Sequence, residues 1–243
     1  MKVIKLDAID STNDFLKELS KKQVVDNFTI VVTKNQTKGK GQMGATWNSE
    51  MGKNLIMSIL IKDVLENTDA IFHLNIAVAL AVIHVLEEYN LPKLSIKWPN
   101  DIMSDNKKLC GILIENSFKS DSSIESIVGI GLNVNQTIFD NLPKASSMAV
   151  IMQKEFDLEA LLDSMLFHIK KNCSLIVSHQ EIKLWNDFHN HLFKLNVPMP
   201  FEDANQNRFM GIIKGVTNDG KLEVTIENDI VKTYGIKEIQ MLF

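Results

Sequence analysis

Thr29-Ile30-Val31-Val32-Thr33, running on through Gln36-Thr37-Lys38 into Gly39-Lys40-Gly41-Gln42-Met43-Gly44, is the stretch on which this chain turns. Its first half is dense in β-branched residues and reads as a buried strand. From Asn35 to Lys53 a long loop follows, too rich in glycine for a good helix or strand, and a loop of that length inside a compact domain is usually functional. Glycines let the backbone approach a ligand and present N–H groups to phosphate oxygens, with Lys40 a mobile cation beside them. No Gly-Lys-Ser/Thr follows at P-loop spacing, and the strand-turn-helix setting of a dinucleotide fingerprint is missing. Taken alone, a plain flexible connection and a ligand loop are equally good readings.

Outward from that loop, a second polar turn carries lysines: Lys97-Trp98-Pro99-Asn100-Asp101, then Lys107-Lys108-Leu109-Cys110-Gly111. A glycine loop facing such a turn is what an enzyme needs to enclose a phosphorylated or adenylated small molecule. At the start of a strand Lys108 could aim its ammonium at a carboxylate or phosphate; otherwise it is a solvated hairpin lysine. Val3 to Leu6 reads as a strand, and Asp10 or Ser11 caps a helix bearing Phe15, Leu16 and Leu19. Asn54 to Lys62 is a strand, about 69–89 a helix apolar all round, and Leu94 to Lys97 a strand ended by proline. A hairpin turns at Asp105-Asn106-Lys107, and a strand covers Ser126 to Val134. Between about 157 and 192 two helices pack back on the sheet. From Phe193 short alternating strands turn at Asn218-Asp219-Gly220 and Glu227-Asn228-Asp229. The domains expected are therefore 1–192, mixed α and β, and 193–243, a small all-β module.

A 243-residue chain that is 45% hydrophobic can bury a sizeable core. The formal charge of -4, with both signs interspersed, gives no broad basic surface, so neither nucleic acid nor a membrane is expected as a partner. Cys110 and Cys173 are too few for a disulfide framework and lack zinc-site spacing. The N-terminus does not read as a signal peptide and no apolar stretch approaches spanning length, so a cytoplasmic location is expected. Cys110 is not read as a nucleophile, since nothing near it in sequence supplies a base.

Six motifs in one order now bear on identity: Asp10-Ser11-Thr12-Asn13; Gln36 to Gly44 with Trp47; Gly52-Lys53-Asn54-Leu55; Lys97 to Asp101; Lys108-Leu109-x-Gly111-Ile112-Leu113-x-Glu115; and Gly129-Ile130-Gly131-Leu132-Asn133-Val134-Asn135. The series resembles biotin protein ligase, and the helical segment and C-terminal β-module extend the resemblance over essentially the whole chain. The fold it implies is α+β, a mixed β-sheet with helices on one side, akin to class II aminoacyl-tRNA synthetases, plus a small C-terminal SH3-like β-barrel. The enzyme it implies is a biotin–[biotin carboxyl-carrier protein] ligase. Biotin carboxylate attacks the α-phosphorus of ATP, Mg²⁺ assists as pyrophosphate leaves, and biotinyl-5′-AMP stays bound until a lysine of a biotin carboxyl carrier protein domain attacks it. Cations fixed in a closed pocket are the effective catalysts of both steps.

Position by position, the resemblance makes Ser11, Thr12 and Gln36 the hydrogen-bonding partners of the biotin ureido ring, with Asn13 shaping the same turn. Gly39, Lys40, Gly41, Gln42, Lys108 and Gly111 complete the implied biotin site. Lys40 stands near carboxylate and phosphate, and Lys108 bridges them. Trp47 either closes over the ligand or is a core tryptophan. Asn133 is the adenine-side residue or a strand-end turn after Gly129-x-Gly131. Asp101 faces the carrier lysine, orienting or deprotonating it, or caps the Pro99 turn.

Two departures mark this chain. The family's Gly-Arg-Gly-Arg-x-Gly-Arg loop here offers Lys40, Gln42 and Ala45, one ammonium for three guanidinium groups, which implies weaker retention of the adenylate; Lys53 is a candidate replacement. Ser11 also falls too early for a winged-helix DNA-binding domain before it, so a ligase-only class is expected. A homodimer is implied by resemblance alone. The alternatives are a lipoate–protein ligase, which an elongated apolar channel would favour, and a non-catalytic biotin sensor.

Overall fold

Ile30 and Val31 are adjacent on one strand yet belong to separate hydrophobic clusters, as do Ile59 and Leu60, and Ile127 and Val128. Successive strand side chains point to opposite faces, so the sheet carrying these pairs is covered on both sides. The computed structural model describes residues 2–243. Strands β1 (Val3–Ile9), β2 (Ile30–Gln36), β3 (Leu55–Ile61), β4 (Leu94–Lys97), β5 (Asp101–Ser104), β6 (Lys107–Phe118) and β7 (Ile124–Leu132) form that sheet in the order β1-β2-β3-β7-β6-β5-β4. β1 and β2 run parallel, and every other neighbouring pair is antiparallel.

The smaller cluster lies under helix α1 (Thr12–Lys22), where Leu16 packs with Val25, Val31, Leu60 and Ile127. The resemblance implied helices on one side only; α1 covers the opposite face. On the main face lies α2 (Ile71–Glu88), whose buried residues include Leu74, an unbroken run from Ile76 to Ile83, and Leu86. Apolar all round, it is the buried core helix its composition predicted. At 18 residues and mean hydropathy 1.6 it also has the length and composition of a membrane-crossing helix, contrary to the expectation that no stretch comes near. Here that surface is spent inside the protein.

A short helix α3 (Met148–Met152), not foreseen, precedes α4 (Leu158–Val177) and α5 (Glu181–Asn190). These last two were expected on the sheet, but they lie chiefly against α2, where the buried Asn172 amide donates to the Ala77 carbonyl at 2.8 Å. A helix apolar on every side needs a second layer of cover, and α4 and α5 supply it.

β8 (Pro198–Asp203), β9 (Arg208–Val216), β10 (Leu222–Thr225), β11 (Val231–Tyr234) and β12 (Ile239–Met241) make a second, antiparallel sheet in the order β11-β10-β9-β8-β12. Such a sheet fits the expected SH3-like module. Its core residues Phe201, Ile213, Leu222 and Val224 belong to the same cluster as α2. At the seam the Trp98 indole N–H donates to the Gly220 carbonyl at 2.8 Å. Gly220 has φ 86, and a Cβ there would come within 2.6 Å of the Phe72 ring, so the turn needs glycine both for conformation and for contact.

Candidate active site

Strand register lays out the floor of the site. Ile56, Gly131, Gly111 and Asp101 stand side by side across β3, β7, β6 and β5, and Ser58, Gly129 and Leu113 form the next row. Both rows share the face that α1 covers, and a cavity of about 320 Å³ opens above them. Gly129 and Gly131 lie within β7, not in the turn expected from their spacing. A Cβ on Gly129 would collide with the Asn13 carboxamide, and one on Gly131 would lie 2.5 Å from Trp47 Cε2. Glycine clears the floor so that both side chains can settle on it.

One wall is the start of α1. Ser11 is its N-cap, Oγ accepting from the Asp14 N–H at 3.3 Å. Gln36 Oε1 accepts from the Thr12 backbone N–H at 2.8 Å and from Thr12 Oγ1 at 3.0 Å, which leaves the Gln36 NH₂ for a ligand. Ser58 Oγ, fully buried, lies 2.7 Å from Thr12 Oγ1 and 2.6 Å from Asn13 Oδ1. Asn13 Nδ2 in turn donates to Glu115 at 3.0 Å, and Lys17 pairs with the same carboxylate at 3.2 Å. Asn13 is thus tied to residues on β3 and β6.

The glycine loop folds back on itself. Trp47 N donates to Gly39 O at 2.9 Å, Gly41 N donates to Ala45 O at 2.7 Å, and Gln42–Gly44 forms a single 3₁₀ turn. Any side chain at Gly39 would overlap the Trp47 carbonyl. The fold-back lays the half-buried Trp47 indole over Gly131 and Gly111, with Lys108 Nζ 5.7 Å from its ring centre. Its Nε1 is buried without a hydrogen-bond partner among the described residues, a donor that gains from an acceptor on a ligand.

Lys108 reaches this face through a β-bulge. Ile102 opposes Cys110 while Met103 opposes Lys108, so Leu109 is the extra residue. Leu109 and Cys110 both go into the core, and Lys108 and Gly111, three apart, both border the cavity. Lys108 Nζ lies 2.5 Å from Asp101 Oδ1, and Lys97 Nζ lies 3.7 Å from Asp101 Oδ2. Asp101 is therefore held by two cations and does not cap the Pro99 turn. Asn100 pins that turn, its Nδ2 donating to Ile112 O at 2.6 Å and its carbonyl accepting from Ile112 N at 3.0 Å. Burial pushes the Lys97 ammonium below the ordinary lysine range, against the pull of Asp101. Burial also pushes the Cys110 thiol far up, which fits a packed strand residue and no nucleophile.

Lys40 meets both oxygens of Asp14, at 2.6 and 2.8 Å, and the hydrogen bond raises its pKa. Lys40, Gly41 and Gln42 border the cavity, along with Ser11, Thr12, Asn13 and Gln36. Gly39 faces an adjoining hollow beside Glu115. Asn133 lies off the cavity: buried, its Nδ2 donates to Ser146 O at 3.0 Å and anchors the loop before α3. Lys53 pairs with Glu155 at 3.7 Å and does not border the cavity, so it replaces no loop arginine. Within the same motif Asn54 is structural, bonding Val134 N and the Gln136 side chain.

Sequence reasoning missed Ser58, Asp14 and, on the C-terminal module, Ile236 and Lys237, which also border the cavity. Asp14 had a signal, three residues after the N-cap serine. The other three carry none. Among the described residues no group of three His, Cys, Asp or Glu side chains is arranged to hold a metal ion.

The model of the Biotin/lipoate A/B protein ligase family matches residues 6–135. The Bifunctional ligase/repressor BirA of Bacillus spizizenii is 28% identical over 235 residues, covering 94% of this chain and 70% of that protein. The Biotin--[acetyl-CoA-carboxylase] ligase of Mycobacterium tuberculosis is 30% identical over 142 residues, 57% of this chain and 51% of its own. Among solved structures, a biotin protein ligase from Aquifex aeolicus in complex with biotin and ATP superposes with a TM-score of 0.82 at 27% identity, covering 99% of this chain and 98% of that one.

Proposed function

Because this chain belongs to the Biotin/lipoate A/B protein ligase family, we propose that it is a biotin–protein ligase, activating biotin with ATP to biotinyl-5′-AMP and passing biotin to a lysine of a biotin carboxyl carrier protein. The observation that carries this reading is the polarity of one cavity. At one end the neutral donors and acceptors of Ser11, Thr12 and Gln36 suit a ureido ring; toward the other, Lys108 suits a carboxylate and a phosphate. The Aquifex aeolicus relative, in complex with biotin and ATP, supports both ligands.

In the first step a carboxylate oxygen attacks the α-phosphorus, the bond from that phosphorus to the bridging oxygen breaks, and pyrophosphate leaves with the electron pair. The Lys108 ammonium draws the two anionic reactants together and offsets charge on the α-phosphoryl oxygens. In the second step the neutral amine of the carrier lysine attacks the acyl carbon, and AMP departs as its C–O bond breaks. Asp101, beside Lys108, is the carboxylate placed to orient the amine and take its proton. Trp47 covers the glycine floor and keeps water from the mixed anhydride.

Mg²⁺ belongs to this reading as an ion that arrives on the nucleotide. Asp101 is the sole carboxylate among the described residues bordering the cavity, and two lysines already hold it, so these side chains do not make a magnesium cage. A lipoate ligase is the second reading; the Ser58-braced Thr12–Gln36 contact gives a polar pocket end that a dithiolane ring would leave unpaired. Pyrophosphate–ATP exchange with purified protein tests the choice. Exchange that requires biotin and ignores lipoate supports the ligase as stated; exchange with lipoate only refutes it, and biotin binding without exchange points to the sensor.

A further inference from the structure

The polar end of the cavity is backed by a chain of hydrogen bonds that ends in a charge. Glu115, on β6, lies 3.2 Å from Lys17 and accepts from Asn13 Nδ2 at 3.0 Å. Asn13 Oδ1 lies 2.6 Å from Ser58 Oγ, which lies 2.7 Å from Thr12 Oγ1, and Thr12 Oγ1 lies 3.0 Å from Gln36 Oε1. Asn13 and Ser58 are 4% and 0% exposed, so their hydrogen bonds have to be met within the chain. Neither Glu115 nor Ser58 borders the cavity itself, and each reaches it only through its neighbours.

Counting hydrogens gives this chain a direction. A carboxylate only accepts, so Glu115 takes an Asn13 N–H and turns the carboxamide oxygen toward Ser58. That oxygen also only accepts, and the single Ser58 hydrogen is therefore committed to it, at the shorter of the two Ser58 contacts. None is left for Thr12. The one Thr12 hydroxyl hydrogen finds two acceptors inside the chain, Ser58 Oγ and Gln36 Oε1. Gln36 Oε1 is itself fixed as an acceptor by the Thr12 backbone N–H at 2.8 Å. Toward the cavity Thr12 Oγ1 thus offers a lone pair, and Gln36 offers its N–H groups. The opposite order needs the Asn13 carboxamide turned over, which sets its oxygen against the Glu115 carboxylate where a donor now stands. In that order Ser58 donates to Thr12, and Thr12 presents its hydrogen to the cavity.

We propose that Glu115 is a positioning residue for the acid substrate: acting through Asn13 and Ser58, it fixes Thr12 Oγ1 as an acceptor, so that the pocket end selects a ring N–H at that point. The proposal rests on the ligase reading, in which the ureido ring of biotin brings an N–H for Thr12 and a carbonyl oxygen for Gln36. A ring with the opposite polarity leaves buried groups unpaired, which costs more than the hydrogen bond itself contributes.

A double-mutant cycle on the full-length chain, read as the Kd for biotin by calorimetry, tests this. Glu115→Gln keeps the size of the side chain but can donate as well as accept, so both directions of the chain become allowed. It should raise Kd about tenfold. In a Thr12→Val background no hydroxyl is left to orient, and the same change should move Kd by less than about twofold; in a Thr12→Ser background the tenfold effect should return. If Thr12→Val binds biotin too weakly to measure, Ser58→Ala, which cuts the chain at its middle, closes the cycle with the same expectation. An equal loss with and without the hydroxyl marks Glu115 as a purely structural residue and overturns the proposal, as does an unchanged Kd in Glu115→Gln. Either result with biotin-dependent pyrophosphate exchange intact leaves the ligase reading standing. Biotin binding without exchange in the wild type removes that reading and leaves the cycle to decide on Glu115, whereas a wild type that binds no biotin removes both.

Discussion

Asp101 Oδ1 stands 2.5 Å from Lys108 Nζ on the neighbouring strand, a pairing that exists because the bulge at Leu109 turns Lys108 to the cavity face. A preformed pair of this kind holds the ammonium in place before any substrate arrives, so little rearrangement is needed when a phosphate takes a share of it. Lys108→Ala should lower biotin-dependent pyrophosphate exchange by about 10²–10³-fold, the range for removing one fixed charge-stabilising donor. Asp101→Asn keeps an oxygen that can accept from Lys108 Nζ but loses the proton acceptor, so it should leave exchange far less affected and slow transfer from preformed adenylate to the carrier. Single-turnover transfer measured beside exchange checks both; equal losses in the two steps for Asp101→Asn would contradict the division of roles.

Gly131 is predicted to matter for ligand binding more than for folding. It lies in a regular strand, so alanine meets no backbone strain, but its Cβ would lie 2.5 Å from Trp47 Cε2 and displace the indole. Gly131→Ala should lower nucleotide affinity by about tenfold or more, with the melting temperature moved by only a few degrees. Calorimetry and thermal unfolding measure the two. Retained affinity would show that Trp47 does not cover the ligand.

Gln42 borders the cavity where the family's loop carries a guanidinium group. An arginine there adds a planar fork that can hold a phosphate in two places. Gln42→Arg should therefore slow release of biotinyl-5′-AMP, followed as the half-life of adenylate retained on the protein after gel filtration. Release no slower than wild type would mean that the loop does not set retention.

Glu88 bears on stability against pH. The Ser164 hydroxyl, followed by His168 Nε2 at 2.8 Å, holds its carboxyl below the ordinary value of 4.5. A carboxylate with a depressed folded-state pKa stabilises the protein above its unfolded pKa and loses that effect as pH falls through the folded value. Glu88→Gln should accordingly be less stable than wild type at pH 7, and the gap should close below about pH 4.5. Because the side chain is half exposed, the gap should stay under about 1 kcal/mol. Denaturant midpoints across pH measure it, and a gap independent of pH would refute the cause.

Much of the fold was legible because its signals are local. The β-branched run at Ile30, the all-apolar α2 and the hairpin at Asp105 each announce themselves within a few residues. Side-chain placement across the sheet was not. That Gly129 and Gly131 are strand residues is invisible until Asn13 and Trp47, more than eighty residues away, are seen to occupy the space above them. Ser58 sits in a continuous apolar run and gives no sign that it braces Thr12 and Asn13. Lys237 is one lysine in a charged C-terminal stretch, and only packing of the second sheet against the first brings it to the glycine loop. Asp101 and Lys108 each stand out alone in the sequence; their pairing depends on a bulge that no residue pattern reveals.

In the proposed reaction this cavity makes a biotinyl adenylate and delivers it to a protein lysine. Purified protein incubated with ATP, Mg²⁺, biotin and a biotin carrier domain, with the intact mass of the carrier read at the end, tests it most directly. A single biotin-sized increase is expected, absent with lipoate in place of biotin and collapsing in Lys108→Ala. A carrier of unchanged mass, or an increase that Lys108→Ala leaves intact, would contradict it.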